Sequence, residues 1–261
     1  MDLQLNGRTA IVTGASKGIG LAITSALAGE GATVIAGARR LTPDLDALVR
    51  AGDVEFVAVD LAEPDAPAQL VRAASAHGPI DILVNNVGAT TPRVAGFLSI
   101  TDEQWFTSIN LNLFAAVRMS RAVLPVMLDS SRGCILTIGS VNAFLPDPLV
   151  IDYSAAKAAL TNFSKSLSKE VGGNGIRVNT ISPGPVATDL WLGATGVAQI
   201  VAATTGAEPE TVAAHAAADS ATGRFTKPSE IADLVLFLCS DRAANITGTD
   251  VTIDGGLITT L

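Results

Sequence analysis

Charged and aromatic side chains are scarce in this chain. Of its 261 residues, 16% are charged and 4% are aromatic, whereas 48% are hydrophobic. This apolar content is enough for a large core, and the low charge content excludes an intrinsically disordered chain. A chain rich in alanine, valine, leucine, isoleucine and glycine is typical of a parallel sheet covered by helices, and the length fits a single α/β domain.

Positive charge is outnumbered by negative charge, because 17 lysines and arginines stand against 25 acidic residues, which gives a net charge of −8. Phosphate backbones and anionic lipids repel a protein of this sign, so we expect no nucleic-acid partner and no membrane partner. No apolar run reaches the ~18 residues of a membrane span, and no basic segment followed by an apolar one opens the sequence. The sequence therefore predicts a cytoplasmic protein.

Cysteine and histidine are rare, with two of each. Cys134 and Cys239 lie in apolar runs without a CxxC or CxxH neighbour. This predicts buried free thiols in a reducing compartment, with a disulfide or a metal role as the alternatives. Neither His77 nor His215 is placed as a catalytic base. Without an HxxxH pattern or a carboxylate cluster, we expect no metal site.

Two kinds of segment alternate along the chain. Apolar runs rich in β-formers occur at Thr9–Val12, Thr33–Ala36, Val54–Val59, Ile82–Val84, Cys134–Ile138, Arg177–Ile181 and Val251–Ile253. Helical periodicity occurs, among other places, at Ile19–Ala28, Pro67–Ala76, Asp102–Leu128, Tyr153–Val171 and Ser229–Leu238. This alternation predicts an α/β fold, a Rossmann-type doubly wound parallel sheet of about seven strands flanked by helices. No linker divides residues 1–261, which we interpret as a single domain.

Residues 190–222 interrupt the alternation with an Ala/Thr-rich stretch of helical composition and no strand. An excursion between the sixth and seventh strands can cap a site above the sheet, which predicts a helical excursion on the substrate side. A packed helical hairpin is the simpler interpretation, and the two are compatible.

A glycine turn follows the first strand directly. Its residues are Thr13, Gly14, Ala15, Ser16, Lys17, Gly18, Ile19 and Gly20, and a helical run comes next. A strand, a glycine turn and a helix let the backbone approach a pyrophosphate, with helix N-terminal amides directed at it. The spacing is GxxxGxG rather than GxGxxG, so a structural tight turn stays an alternative for the motif alone. Its place after the first strand favours a dinucleotide.

The exit of the second strand distinguishes the two nicotinamide cofactors. A carboxylate there would bind the ribose 2′-hydroxyl of NAD, whereas an arginine would bind the 2′-phosphate of NADP. This chain has Arg39 and Arg40 and no acid before Asp44. Arg39 offers a planar fork, and Lys17 adds charge from the glycine turn. We therefore predict NADP(H), with NAD(H) less favoured; two solvated arginines are the alternative interpretation.

Polar residues also follow the third and fourth strands. Asp60, followed by Leu61, is placed to accept a hydrogen bond from the adenine amino group. Asn85, Asn86 and Gly88 follow the fourth strand, where they would line the cofactor and connect neighbouring strands. All of them fall at carboxyl ends of strands, which is where open α/β sheets bind ligands.

Tyr153 and Lys157 share one face of a helix at a spacing of i and i+4. Tyr153 is the only tyrosine of the chain. A phenol with a pKa near ~10 is a poor proton shuttle at neutral pH, and we expect the neighbouring ammonium to lower that pKa. Ser140 follows the fifth strand, so its hydroxyl and the phenol can converge on one carbonyl oxygen. The predicted catalytic set therefore begins with Ser140, Tyr153 and Lys157.

With these motifs in place, the sequence resembles the short-chain dehydrogenase/reductase family over essentially its whole length, and bacterial 3-oxoacyl-acyl-carrier-protein reductases within it. The matching motifs are TGxxxGxG at Thr13–Gly20, NNxG at Asn85–Gly88, Ser140 with the YxxxK of Tyr153 and Lys157, Pro183-Gly184, and Asp254-Gly255-Gly256. Beyond Pro183 and Gly184, the resemblance implies that Val186 and Thr188 contact the cofactor, with Thr188 at the nicotinamide carboxamide. It also implies a homo-oligomer, usually a tetramer.

The resemblance implies a mechanism as well. Hydride passes between nicotinamide C4 and a carbonyl carbon while Tyr153 gives or takes the proton of the oxygen. Ser140 holds that oxygen, and Lys157 binds the nicotinamide ribose and tunes Tyr153. Of the two asparagines at 110 and 112, Asn112 matches the fourth catalytic position, where it would hold a water linking Lys157 to solvent. Asn110 is interpreted as an ordinary helix residue.

The substrate is left open by the sequence. The resemblance favours a 3-oxoacyl thioester, whereas the length of the 190–222 excursion and the scattered Arg118, Arg121 and Arg132 favour a small ketone, a sugar, a steroid or a secondary metabolite. Apolar residues in Thr90–Leu98 and Val141–Leu149 favour a bulky or partly hydrophobic small molecule. A non-catalytic NADP(H)-binding regulator is the alternative from another class.

Overall fold

The computed structural model describes residues 2–260. Seven parallel strands form one sheet in the order β3-β2-β1-β4-β5-β6-β7. The strands are β1 (Thr9–Thr13), β2 (Thr33–Ala38), β3 (Val54–Ala58), β4 (Ile82–Asn85), β5 (Gly133–Ile138), β6 (Ile176–Pro183) and β7 (Asp250–Ile253). All seven predicted strands are confirmed, each within two residues at either end. The strand order reverses beside β1, whose two neighbours are β2 and β4.

Ten α-helices accompany the strands in the described part of the chain. They are α1 (Gly18–Gly29), α2 (Pro43–Ala51), α3 (Ala66–Ser75), α4 (Asp102–Ile109), α5 (Ala115–Ser130), α6 (Ile151–Val171), α7 (Asp189–Leu192), α8 (Val197–Thr205), α9 (Pro209–Ala218) and α10 (Pro228–Cys239). Helix α2 is not among the helices that the periodicity predicts. It begins at Pro43 after Thr42, whose hydroxyl accepts a hydrogen bond from the Leu45 amide as an N-cap does.

The core has two parts. One contains Ile23 and Leu27 of α1 together with Ile231 and Val235 of α10. The other contains side chains of α3, α5 and α6. A parallel sheet needs cover on both faces because its strands are apolar on both sides. The two clusters supply that cover, and the doubly wound α/β fold is confirmed.

The predicted helix Asp102–Leu128 is interrupted. Residues Asn110–Phe114 form a π turn between α4 and α5, with hydrogen bonds one residue longer than those of an α-helix. The stretch Asp102–Ser130 is long and apolar enough to cross a membrane by length and composition alone. In the fold, its residues Met119, Val123 and Met127 belong to the core. Core helices of this kind satisfy the same length and composition.

The excursion at 190–222 is helical, as predicted, and contains no strand. Helices α7, α8 and α9 follow one another there, and α8 packs against α9. Its two ends meet at an isolated bridge between Val186 and Thr226. The Thr222 amide also donates to the carbonyl of Gly255, just beyond β7, at 3.0 Å. The excursion therefore leaves and rejoins the fold at the carboxyl ends of β6 and β7.

The two cysteines are free and buried, as predicted. Although they are distant in sequence, Cys134 at the start of β5 and Cys239 at the end of α10 belong to the same core cluster. The Cys134 Sγ also lies 3.6 Å from the carbonyl oxygen of Leu238.

Candidate active site

The predicted site residues lie at the carboxyl ends of the strands. Four segments meet at the reversal of strand order: the glycine turn after β1, the loop after β4, the turn after β5 and the segment after β6. Ligands of open α/β sheets bind in this crevice. The topology brings together residues that are more than 100 positions apart in sequence, such as Gly14 and Tyr153.

The glycine turn has the backbone that its sequence requires. Gly14 and Gly18 adopt φ angles of +66° and +56°, which favour glycine. A Cβ on Gly20 would collide with the carbonyl of Gly14, so the third glycine permits the close approach of helix and strand. At the start of α1, Lys17 occupies the N-cap without a side-chain cap, and no acid stands in the first turn. The N-terminal amides of α1 are therefore suited to an anion.

Asn86 holds the glycine turn against β4. Its Nδ2 donates to the carbonyl oxygen of Thr13 at 2.8 Å and more weakly to that of Gly14 at 3.3 Å. Its backbone amide donates to the Thr13 hydroxyl at 2.9 Å. The predicted connection between neighbouring strands is thus present, and it uses the side chain of the second asparagine of NNxG.

The exit of β2 lies beside the same turn. The Ala15 amide donates to the Gly37 carbonyl at 3.2 Å, and the Thr42 hydroxyl donates to the Ser16 carbonyl at 2.7 Å. Arg39 lies between Gly37 and Thr42 in sequence. Its side chain is exposed, as is that of Arg40.

Lys17 faces a different neighbour. Its ammonium lies 3.9 Å from the carboxylate of Asp189 at the start of α7, and both side chains are exposed. The sequence predicted that Lys17 adds charge near Arg39, whereas the structure brings it to the segment after β6.

Asp60 and Leu61 follow β3. The Asp60 carboxylate accepts a hydrogen bond from the Ala62 amide at 3.0 Å, and Leu61 is buried. The Ala62 carbonyl accepts from the Asn110 side chain at 3.0 Å. Asn110 therefore makes a specific contact that fixes the loop after β3, and its interpretation as a helix residue outside the catalytic set stays a prediction.

Ser140, Tyr153 and Lys157 converge as predicted. Ser140 lies in the turn after β5, and its hydroxyl is close enough to the Tyr153 phenol to act on the pKa of that phenol. The Lys157 Nζ lies 5.5 Å from the centre of the Tyr153 ring and donates to the carbonyl of Ile138 at 2.7 Å. Lys157 is 3% exposed, and none of the ion pairs among residues 2–260 includes its buried ammonium.

Burial controls the ionisation of both groups. Burial raises the pKa of Tyr153 above its ordinary value, although the Ser140 hydrogen bond acts in the opposite direction. Burial lowers the pKa of Lys157 to about 8. The predicted lowering of the Tyr153 pKa was wrong, because the ammonium lies over the ring and bonds to a backbone carbonyl while desolvation of the phenol dominates.

Asn112 lies in the π turn and is 1% exposed. Its Nδ2 donates to the carbonyls of Ala89 and Ser108 at 2.9 and 3.0 Å, and its Oδ1 accepts from the Ala89 amide at 3.0 Å. A Cβ on Gly88 would lie 3.0 Å from the Asn112 Oδ1 and 3.4 Å from the Lys157 Nζ. Gly88 thus leaves the space where these two side chains approach each other.

The segment after β6 completes the crevice. Gly184 lies against Asp254, where a Cβ would come within 2.9 Å of the Asp254 backbone. Val186 is buried, and Thr188 precedes α7 with its methyl group facing Gly18. Pro183 closes β6. The predicted residues of this segment therefore lie close to the glycine turn.

Sequence reasoning missed an ion pair. Arg93, in the loop after β4, reaches Asp152, the residue before Tyr153, with Nη2 to Oδ2 at 2.6 Å. It also missed Asn142, whose Oδ1 accepts from the Ser140 hydroxyl at 3.1 Å. The position of Asp152 in the first turn of α6 indicates a carboxylate beside Tyr153, but the sequence does not show its partner, because the arginine lies 59 positions away.

The residues present fit a dinucleotide. Uncapped amides begin α1, and side chains are absent at Gly14, Gly18, Gly20 and Gly88. The buried hydroxyl of Thr90, in the loop after β4, has no hydrogen-bond partner among residues 2–260. Among residues 2–260, no group of three or more His, Cys, Asp or Glu side chains could hold a metal ion.

Comparisons with known proteins agree with this geometry. The family model described as enoyl-(acyl carrier protein) reductase matches residues 14–258. The chain is 34% identical to a 3-oxoacyl-(acyl-carrier-protein) reductase, FabG, of Thermotoga maritima, over 98% of this chain and 100% of that protein. It is 36% identical to the FabG of Escherichia coli, over 98% and 99% of the two chains.

A solved structure extends the comparison. L-sorbose reductase from Gluconobacter frateurii, complexed with NADPH and L-sorbose, matches with a TM-score of 0.91 and 35% identity over the full length of both chains. A single parallel sheet, a glycine turn, a Ser–Tyr–Lys convergence and these full-length matches lead to one conclusion. The chain belongs to the short-chain dehydrogenase/reductase family, and it is an oxidoreductase that acts on ketones and alcohols.

Proposed function

We propose that this enzyme interconverts a ketone and a secondary alcohol with NADP(H), using Ser140, Tyr153, Lys157 and Asn112 as its catalytic residues. The observation that carries the proposal is the convergence of Tyr153 with Ser140 and Lys157 beside the glycine turn. A ligand in this crevice would meet a proton donor, a second hydroxyl and a buried ammonium within one small volume. Carbonyl chemistry needs this combination.

The cofactor would occupy the crevice along its length. The turn from Gly14 to Gly20, including Ser16, Gly18 and Ile19, would hold the pyrophosphate with backbone amides. The other proposed contacts are Asp60 and Leu61 for adenine, Asn86 and Gly88 along the middle, and Pro183, Gly184, Val186 and Thr188 at the nicotinamide. When bound, the nicotinamide supplies or accepts the hydride.

Arg39 supports NADP(H) over NAD(H). It lies exposed at the exit of β2, beside the glycine turn, and no carboxylate precedes it in this loop. A guanidinium can bind a 2′-phosphate with two parallel hydrogen bonds. L-sorbose reductase, the solved relative, is complexed with NADPH, which agrees with this assignment.

Tyr153 is suited to donate a proton. Because burial raises its pKa, the phenol is protonated at neutral pH and can give its proton to a carbonyl oxygen as negative charge develops there. Ser140 holds the same oxygen, with its own hydroxyl oriented by Asn142. The Lys157 ammonium, with its pKa of about 8, is charged at neutral pH and stabilises the phenolate that remains.

Asn112 connects the site to solvent. Its Nδ2 is fully used by Ala89 and Ser108, but Oδ1 has one lone pair left beyond the Ala89 amide. The Asn112 Oδ1 borders the space at Gly88 that the Lys157 ammonium also borders. A water held there would return a proton to Tyr153 through Lys157.

The substrate remains a choice between two classes. The carrier-protein reductases among the relatives favour a 3-oxoacyl thioester. However, two of the three candidate arginines for an acidic carrier are engaged within the chain: Arg132 bonds to Asp81, and Arg118 lies over the Phe114 ring. Exposed apolar side chains beside the site and the L-sorbose-bound relative favour a free small-molecule ketone, a sugar included.

We also infer a homotetramer in a reducing, cytoplasmic compartment. Phe106 and Phe114 expose large apolar surface on the stretch from α4 to α5, at 72% and 46%. Such a face is suited to pairing with another copy. The free cysteines fit a reducing compartment.

The test compares NADPH and NADH oxidation with acetoacetyl-CoA and with L-sorbose, using Tyr153→Phe as the matched variant. We expect turnover with NADPH to exceed that with NADH, and Tyr153→Phe to lose at least ~100-fold in kcat while keeping NADPH binding. The more active ketone identifies the substrate class. NADPH binding without turnover on any carbonyl would overturn the proposal in favour of a regulator.

A further inference from the structure

The Arg93–Asp152 ion pair involves the residue directly before Tyr153 but belongs to none of the motifs above. The Arg93 Nη2 and Nε lie 2.6 and 3.4 Å from the two carboxylate oxygens of Asp152, a two-bond geometry. The side chains are 14% and 3% exposed. Asp152 is in the first turn of α6, directly before Tyr153.

This pair joins two parts of the site. Arg93 lies in the loop after β4, the loop that also contains Gly88 and Ala89. Its backbone amide donates to the Leu149 carbonyl at 2.6 Å, which adds a second contact to the chain entering α6. Asn112 binds the other end of the loop through Ala89. The loop is therefore fixed at one end by the π turn and at the other by the helix of Tyr153.

A contribution to stability does not explain the pair. Desolvating two charges offsets most of their attraction, and an apolar pair of similar volume is often as stable. Burial would raise the pKa of Asp152, but the hydrogen bond and the charge of Arg93 outweigh burial and hold it below the ordinary value. Asp152 is thus ionised at neutral pH, and Arg93 neutralises a buried carboxylate one residue before Tyr153.

We propose that the Arg93–Asp152 pair is a positioning device for Tyr153, which fixes the first turn of α6 against the loop after β4 and cancels the charge beside the phenol. The inference rests on the proposed role of Tyr153 as the proton donor. Removing either partner alone leaves one buried charge at the first turn of α6, and the two single variants leave charges of opposite sign.

The other charged and polar groups around the phenol stay constant in the test. They are Lys157 on the same helix, Ser140 after β5, and Asp147, whose backbone amide donates to Ser154 at 3.4 Å. Tyr153 is the only tyrosine, so the ultraviolet absorbance of tyrosinate reports its ionisation alone and needs no activity.

The experiment titrates Tyr153 in the full-length wild type, Arg93→Met, Asp152→Asn and the double variant. We expect Arg93→Met to raise the midpoint by about one pH unit, because an unpaired carboxylate opposes phenolate. Asp152→Asn should lower it, because an unpaired guanidinium favours phenolate. The double variant should return near the wild-type midpoint.

Kinetics with the ketone that proves active complete the test. We expect both single variants to lose about tenfold in kcat with an unchanged KM for NADPH, and Arg93→Lys to recover part of the loss. The exposed pair of Arg50 and Asp46 gives a matched control, since Arg50→Met should change neither readout.

Shifts in the same direction for the two single variants, or no shift, would overturn the inference, as would a wild-type kcat in Arg93→Met. A wild type that binds NADPH but reduces no ketone would overturn the proposed function, and the titration would still decide whether the pair acts on Tyr153. If Arg93→Met fails to fold, the isosteric Asp152→Asn and Arg93→Lys supply the same comparison.

Discussion

Charged side chains are paired with one another at the amino ends of the strands, whereas most of those at the carboxyl ends are unpaired. At the amino ends of the strands, Asp81 accepts hydrogen bonds from the Thr9 amide at 2.9 Å and from both Arg8 and Arg132. Arg8 also bonds to Asp241 at 2.7 Å. At the carboxyl ends, Arg39 is exposed and Lys157 is buried beside an uncharged phenol.

The paired charges at the amino ends stabilise the fold, whereas the unpaired charges at the carboxyl ends are available for function. Charges that are paired with each other hold segments together but have nothing left to offer a ligand. Charges that are left unpaired cost free energy in the folded state and are available to a cofactor or to a developing negative charge. Two pairs at the carboxyl ends depart from this pattern. The contact between Lys17 and Asp189 is exposed and long, at 3.9 Å, whereas the Arg93–Asp152 pair is largely buried and adjoins Tyr153 in sequence.

The largest effect is expected from a substitution that breaks the hydrogen bonds around Asp81 at the amino ends of the strands. We expect Asp81→Asn to lower the free energy of unfolding by about 3 kcal/mol, because two arginines lose their shared carboxylate in a largely buried place. Urea denaturation measures this loss. The kcat well below the melting temperature should stay unchanged. Asp46→Asn, which breaks an exposed helix pair, is the control and should cost about 0.5 kcal/mol. A loss of kcat in Asp81→Asn would contradict the separation of the two ends.

A smaller effect follows from the pKa of Lys157. Because that pKa is about 8 in the folded chain and 10.5 is its ordinary value, the unfolded chain binds more protons between these two values. The free energy of unfolding should therefore rise with pH in this window, by about 2 kcal/mol relative to Lys157→Met. Urea denaturation at a series of pH values measures the rise.

Lys169→Met, at an exposed position of the same helix, is the matched control for this pH dependence and should follow the wild type. Parallel curves for the wild type and Lys157→Met would show that Lys157 is not desolvated.

The smallest expected effect concerns the cofactor. We expect Arg39→Ser to raise the KM for NADPH about tenfold, roughly 1.4 kcal/mol, and to leave the KM for NADH unchanged, because only NADPH has the 2′-phosphate. Steady-state kinetics with both cofactors measure this. Arg40→Ser is the matched control at the next position. Equal effects of the two substitutions would mean that both arginines are merely solvated.

The sequence was sufficient for the strands and for the convergence at the carboxyl ends. Apolar runs bounded by turn residues indicate strands directly, and parallel strands bring their carboxyl ends together whatever their separation in sequence. The match of Asn112 rather than Asn110 to the catalytic position agrees with its burial beside Gly88. The roles of the matched residues stay predictions.

Three features required the structure. Helix α2 has a capping Thr42 and Pro43 at its start, but it is only nine residues long, which is too short for a clear helical periodicity. The direction of the Tyr153 pKa depends on burial and on the position of the Lys157 ammonium over the ring, which an i, i+4 spacing does not determine. The contact of Arg93 with Asp152 joins two loops that share no periodicity.

The π turn at Asn110–Phe114 has a consequence for how this region can change in evolution. It contains one residue more than an α-helical turn, and the Ser108 carbonyl accepts the side-chain amide of Asn112. Each residue of an α-helix advances the direction of its side chain by about 100°. Loss of a single residue here would leave both helices intact but rotate one against the other. The side chains on one of them would then point in different directions. Substitutions in this helix can accumulate gradually, whereas a one-residue deletion would remove the asparagine from the site in a single step.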